Sequence, residues 1–216
     1  MATATQHRRR VDRRTRTARA EGRDGRAALL QSAMEVFAQR GYRDASVDEI
    51  ASRAGYSKGA IYFYFSGKDD LFFALLEERI DHPMREAIKL LESASSKDDM
   101  SLEANRRFRA LVSGQRELLL LENEYRSQAI HDSRLRARYL RREAQLRSAL
   151  ARGLQARLMH LGAPPLAAPE QLATALLSLA FGLAQEKLIE PDAVPDHLLG
   201  DMFALIYAGH VARARG

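Results

Sequence analysis

Between residues 58 and 65 the chain reads Lys-Gly-Ala-Ile-Tyr-Phe-Tyr-Phe. The hydroxyls of Tyr62 and Tyr64 and the ammonium of Lys58 can hydrogen-bond an anionic oxygen, whereas Ala60 and Phe63 offer only apolar surface. Four consecutive aromatic residues cannot all face one core. A helix advances about 100° per residue, so Ile61 and Phe65 share a face, while Phe63 lies about 200° and Gly59 about 160° from Ile61. Ile61 and Phe65 are therefore expected to anchor against Phe37, Ile50 and Ala51. Lys58, Gly59, Ala60, Tyr62, Phe63 and Tyr64 are left on the outer side, with Lys68 nearby at the start of the next helix. Such a surface suits double-stranded nucleic acid. Hydroxyls and ammonium groups hold phosphates, apolar groups meet thymine methyls, and Gly59 lets the backbone come close.

The elements that must position these groups are legible on either side. Leu29, Ala33, Val36 and Phe37 recur at helical spacing with Leu30 and Met34 beside them, and Gly41 supplies a stop. Ser46-Val47-Asp48-Glu49 is a capping box opening a second helix through Ala54, with Gly55 suited to its left-handed end. Ser57 caps a third helix from Lys58. A fourth begins at Ser66 or Gly67 and continues through Leu71, Phe72, Leu75 and Leu76. Two short helices joined by a three-residue connection, the second presenting an exposed face, form a helix-turn-helix, whose second helix enters the major groove.

These residues resemble a known family. The segment from Leu30 to Leu76 is similar to the DNA-binding domain of the tetracycline-repressor (TetR) family of bacterial transcriptional regulators. The likeness is carried by A-x-x-x-F-x-x-x-G-Y-x-x-x-S-V-x-x-I-A-x-x-A-G-Y-S-K-G-x-I-Y-x-Y-F-x-x-K-x-x-L, running from Ala33 to Leu71. The resemblance implies that Ser46 is a phosphate-contacting cap, that Lys58, Gly59 and Ala60 open the recognition helix, and that Tyr62, Tyr64 and Lys68 occupy contact positions. Gly67 departs from the pattern, which often has Ser or Asn there, and this moves the expected cap to Ser66.

Beyond residue 81 only architecture can be read. Pro83 requires a kink or restart, Ser93–Asp99 reads as a loop, and Leu102 to Leu121 as one long helix. His131-Asp132-Ser133 breaks the chain before a helix in which Leu146, Leu150, Leu154 and Leu158 repeat. Gly162–Pro169 is an Ala/Pro loop, and two apolar helices follow, about 170–189 and 196–212. The fold class is all-α: an N-terminal helix-turn-helix three-helix domain at 24–81 after a basic arm at 1–23, then a helical bundle at 82–216. The longest uncharged apolar run, Gln171 to Gln185, is 15 residues, short of the ~20 that span a bilayer. No membrane partner is expected.

The resemblance places an effector pocket in the middle helices and a dimer interface in the last two. Polar and aromatic candidates for the pocket are Phe108, Glu122, Tyr125, Gln128, His131 and Tyr139. For the interface they are Leu172, Leu176, Leu179, Leu183, Leu199, Met202, Phe203 and Ile206, because helices apolar nearly all round must be buried on two sides. Thirteen arginines lie in 100–160; Arg134, Arg136, Arg138, Arg141, Arg142 and Arg147 read as a solvated helix face.

Charge separates the function classes. Residues 1–26 carry nine arginines against three acids, a net of +6 that equals the whole chain's formal charge. Arg23 and Arg26 end this block and are counted with the DNA contacts. Residues 27–81 are net −3, so the arm is expected to supply much of the attraction to a polyanion. The absence of cysteine removes thiol chemistry and fits a reducing, cytoplasmic interior. No apolar segment follows the basic N-terminus, so no secretory signal is expected. The six histidines are scattered, without H-E-x-x-H or Glu-x-x-His spacing, and no P-loop or G-x-S-x-G occurs. No catalytic residue, metal or cofactor is expected. The sequence points to a homodimeric DNA-binding regulator, a repressor released from a palindromic operator by an unidentified small molecule. The alternative is a constitutive or architectural DNA-binding dimer without an effector.

Overall fold

The computed structural model describes residues 25–93, 97–160, 162 and 165–213. Arg23 and the rest of the arm at 1–23 lie outside them. The chain divides into two compact units at Leu75/Leu76.

In the N-terminal unit, α1 (25–44) carries Gly41 at φ 75, where the expected stop falls. Helix α2 (Val47–Ala54) has Ser46 as its N-cap, extended at φ −119 and ψ 149, its side chain accepting from the Glu49 N–H at 3.1 Å. At the other end Gly55 adopts φ 74 and donates to Ser52 O, while Tyr56 N–H reaches Ala51 O at 2.9 Å. This double closure needs a left-handed residue and explains the glycine. Helix α3 (Lys58–Tyr64) starts from Ser57, whose hydroxyl accepts from Ala60 N–H. It stops one residue earlier than the phase argument assumes: Phe65 is extended at φ −138 and ψ 140, yet buried.

Helix α4 (Lys68–Leu76) corrects the expected cap. Gly67 itself takes that position, at φ 153, with its carbonyl accepting from Leu71 N–H, while Ser66 N–H donates to the Asp70 carboxylate at 2.9 Å. The side chain closing this turn thus reaches back from inside the helix. The unit's core gathers Leu29, Val36, Phe37, Ile50, Ile61 and Leu71, each fully buried, and Phe37, Tyr42 and Phe72 pack ring to ring at 5.2–6.0 Å.

In the C-terminal unit, residues Glu77–Asp81 form a π-helical segment ahead of α5 (His82–Ser93). The proline explains it: Pro83 has no N–H and its ring crowds the carbonyl four residues back, which a widened turn relieves. Here the His82 N–H reaches Glu77 O, five residues away. Helix α6 (Lys97–Gly114) begins inside the stretch read as a loop. The single helix expected over 102–121 is instead two, because Gln115 leaves helical geometry at φ −131 and ψ 29 beside Gly114, a weak helix former. Helix α7 (Arg116–His131) follows, then α8 (Ser133–His160), started by Asp132, whose carboxylate accepts from Arg134 and Leu135 N–H. Helices α9 (Pro169–Ile189) and α10 (Leu198–Arg213) complete the unit.

Helix α8 packs on α5, α7 and α9, and α10 packs on α6. Ile88, Leu150, Ala151, Ala173 and Leu176 form the buried centre. Where α10 meets α6, Gly200 N–H donates to Asn105 Oδ1 at 2.7 Å and Ser101 Oγ donates to Gly200 O at 3.0 Å. A side chain on Gly200 would run into the Ser101 carbonyl and the Asn105 amide.

Candidate nucleic-acid interface and effector cavity

In the N-terminal unit the phase of α3 separates Ile61 from Tyr62 and Phe63, and Phe65, just past the helix, turns inward. Ile61 is fully buried and Phe65 is 4% exposed, whereas Tyr62 is 53% and Phe63 80% exposed. Lys58, Gly59 and the Ser46 cap are also exposed. Ala60 and Tyr64 are half-buried. The Tyr64 ring lies edge-on to Phe63 at 4.9 Å, and its hydroxyl, with that of Tyr56, comes up against Gly25 at the start of α1. A tyrosine whose hydroxyl abuts the unit's own backbone is partly a strut. Arg26 is exposed, with its guanidinium 5.3 Å from the Phe65 ring centroid.

The two lysines are held in different ways. Lys58 Nζ lies 2.8 Å from the Asp48 carboxylate on α2, and that hydrogen bond raises its pKa. It remains fully charged at neutral pH and exposed. Lys68 Nζ donates to the Arg43 carbonyl at 2.8 Å and stands over the Tyr42 ring at 4.8 Å. Local spacing could not reveal that tether, since Arg43 lies 25 residues away. The structure thus brings Lys58, Gly59, Ala60, Tyr62 and Phe63 onto one surface and turns Lys68 inward.

The C-terminal unit encloses a cavity of about 310 Å³, within the range of small-molecule sites. Its walls come from the π-helical segment, α5, α6, α8, α9 and α10, chiefly through aliphatic side chains such as Ile88, Leu111, Leu150 and Leu176. Of the six residues expected there, only Phe108 lines it. Leu176, Leu199 and Phe203, assigned to the dimer interface, line it too. Sequence reasoning missed Arg79, Met84, Glu103, Arg107 and Gln115 at the cavity. They come from distant segments, and no local pattern marks them.

Three of the remaining candidates meet elsewhere. Arg142, read as part of a solvated face, is 7% exposed and clamps Asp81 with two hydrogen bonds, 2.8 Å from Nε and 2.6 Å from Nη2. Its Nη1 reaches Glu122 at 2.5 Å, and Tyr139 OH donates to the same Glu122 oxygen at 3.3 Å. Tyr125 is fully buried, its ring 6.2 Å from that of Tyr139. The arginine-rich run hid this because one turn of α8 faces inward while its neighbours Arg134, Arg136 and Arg141 face solvent. Burial pushes the Asp81 carboxyl above its ordinary pKa against the pull of Arg142, and burial likewise raises Glu143 and Tyr139. Burial alone would lower Arg142; the attraction of Glu122 and the hydrogen bonds with Asp81 and Glu122 outweigh it and raise its pKa. Gln128 pairs with Glu124 one turn back, and His131 is exposed at the end of α7. Neither belongs to the cavity or to this cluster.

Helix α9 is 21 residues long and, by length and composition alone, apolar enough to cross a membrane, which the 15-residue run did not foretell. Only 22% of its most apolar window is buried. Leu172, Leu179 and Leu183 on α9 and Met202 and Ile206 on α10 are half-buried, while Leu176 and Leu199 are covered by their own unit. The apolar surface left open also includes Ala175, Leu205 and Ala208.

The sequence profile of the bacterial regulatory proteins, tetR family, matches residues 29–75. The fatty acid metabolism regulator protein of Bacillus subtilis is 33% identical over 96 residues, 43% of this chain and 48% of its own. The HTH-type transcriptional activator FasR of Mycolicibacterium smegmatis is 49% identical over 57 residues, 26% of either chain. This chain thus spans less than half the length of these curated relatives. The fatty acid degradation regulator FadR from Bacillus halodurans matches with a TM-score of 0.66 over 84% of this chain and 93% of its own, at 18% identity. That likeness is one of fold. Through residues 29–75, the N-terminal unit is thus similar to the bacterial regulatory proteins of the tetR family.

Proposed function

We propose that this chain is a homodimeric, sequence-specific DNA-binding transcriptional regulator of the cytoplasm, a repressor that leaves its operator when a small molecule fills the cavity. The observation that carries the DNA-binding half is the exposure of Tyr62 and Phe63 on a helix fixed by its Ser57 cap and by buried Ile61 and Phe65. Large aromatic side chains left in water on so short and well-anchored a helix need a partner surface. Ser46, Lys58 and the Tyr62 hydroxyl serve the phosphate backbone, and Ala60 and Phe63 face the bases. Tyr64 acts mainly through its ring packing, and Lys68 contributes only if it leaves the Arg43 carbonyl.

The thin burial of α9 supports the dimer. A two-fold partner bringing α9 and α10 would cover Leu179, Leu183 and Leu205, and a dimer presents paired recognition helices to a palindromic site. The cavity supports control by a ligand. A molecule bound more tightly by the DNA-free conformation lowers DNA affinity by linkage. The constitutive dimer has no observation in its favour to set against the cavity.

Selection of bound genomic fragments, followed by anisotropy titrations of the winning sequence, tests the reading. A symmetric site bound by two chains is expected. Deleting residues 1–22 is expected to weaken binding to every sequence and to flatten its salt dependence while leaving base preference intact. Failure to enrich any sequence, or a chain that sediments as a monomer without detergent, would overturn it.

A further inference from the structure

Charge around the cavity is distributed unevenly. Its inner wall is hydrocarbon, formed by Ile88, Phe108, Leu150 and Leu176, all 6% exposed or less. The charged side chains that line it are Arg79, Glu103 and Arg107. Arg79 and Arg107 keep 43% and 39% of their side chains in solvent, whereas Glu103 keeps 20%. The guanidinium groups therefore stand at the open edge. Glu103 accepts from Arg107 Nε at 2.6 Å and from Arg106 Nε at 2.8 Å, and the Arg107 hydrogen bond holds its carboxyl below the usual pKa. Arg79 has the Glu78 carboxylate at 3.7 Å, a loose contact between neighbours in sequence. Arg79, Arg106 and Arg107 against Glu78 and Glu103, three guanidiniums to two carboxylates, leave the edge of an apolar chamber positive.

We propose that the cavity takes an amphipathic monoanion: an alkyl or aryl body against the hydrocarbon wall, and a carboxylate head at the edge between Arg79 and Arg107. Arg is suited to this because its planar fork matches a carboxylate and is weakly hydrated. The head competes with Glu103 for Arg107, so the resident carboxylate acts as a stand-in that sets a threshold for ligand affinity. A cationic amphiphile meets two guanidiniums and is rejected; a neutral one gains the apolar contacts and nothing at the edge. The inference rests on the reading of the cavity as the effector site.

Isothermal titration of the full chain with decanoate, 1-decanol and decylamine separates the possibilities, because the three share a body and differ in the head. Decanoate is expected to bind about tenfold more tightly than 1-decanol, the size of one charge-assisted contact, and decylamine more weakly than either. In R79Q and R107Q the advantage of decanoate shrinks while 1-decanol is unchanged. In E103Q, which frees Arg107, decanoate binds more tightly than to the unmodified chain. Equal affinity for decanoate and 1-decanol, or tighter binding of decylamine, overturns the assignment of the head and leaves the cavity standing. Binding of none of the three overturns both the head and the cavity as an effector site.

Discussion

Among the described residues, both units carry ion pairs at the surface, but only the C-terminal unit also buries charge. In the N-terminal unit the Lys58–Asp48 and Arg40–Glu49 pairs lie at the surface, the former with more than half of each side chain in water. In the C-terminal unit Arg142, Asp81 and Glu122 are withdrawn from solvent, each side chain 7% exposed or less. Exposed pairs cost little to break and reform, which suits a surface that must exchange partners with phosphates. A buried cluster is costly to break once formed, which suits a fixed brace between the π-helical segment, α7 and α8.

The largest test of that contrast removes the centre of the buried cluster. R142M leaves Asp81 and Glu122 buried without their cation and is expected to destabilise the protein by about 3–5 kcal/mol at neutral pH, measured by urea unfolding. The pH dependence has a definite sign. Asp81 and Glu143 already have raised pKa values in the folded protein. Their unfavourable burial as anions is therefore present above those values and relieved as pH falls through them toward the ordinary carboxylate range. The loss in R142M should shrink on mild acidification. A loss that stays constant or grows would show that the two acids are not held as anions.

A smaller effect is expected at the caps of the reading surface. S46A and S57A each remove one acceptor from a helix start and should cost about 1 kcal/mol. S57A should also weaken DNA binding beyond that loss, because α3 is only seven residues long and its first turn carries Lys58, Gly59 and Ala60. The smallest effect on stability belongs to the surface pair. D48N is expected to leave the thermal midpoint unchanged and to tighten DNA binding at low salt by releasing Lys58. Weaker binding would mean that Asp48 positions Lys58 for its contact.

The same contrast explains what could be read in advance. The N-terminal unit is specified locally: Ser46, Gly55 and Ser57 fix two short helices by contacts within five residues, so the surface carrying Tyr62 and Phe63 could be placed by counting degrees. Lys68 escaped because its partner is the carbonyl of Arg43. The C-terminal unit is specified by packing between distant helices, so α8, α9 and α10 were legible, the break between α6 and α7 was not, and neither was the site. Polarity and aromaticity singled out Glu122, Tyr125 and Tyr139 as ligand contacts, yet a buried arginine claims Glu122 and Tyr139, and Tyr125 packs beside Tyr139. The cavity walls are mostly aliphatic residues such as Leu111 and Leu150, which resemble ordinary core in sequence. Leu176 and Leu199 show the same ambiguity: an apolar face that has to be buried does not say whether its own unit or a second chain buries it.

The contact at Gly200 bears on how the cavity can yield. Leu199 and Glu103 both line the chamber, and beside them the backbone of α10 is bolted to α6 through Asn105 and Ser101. With carbonyl and amide already at contact, the first turn of α10 cannot move closer, and moving away breaks two hydrogen bonds at once. That corner behaves as a fulcrum. A bulky guest is expected to find its extra space further along α10, toward Phe203, which also lines the chamber. The chamber thus has one fixed jaw and one compliant one, and the reach of a ligand is gauged from the fixed end.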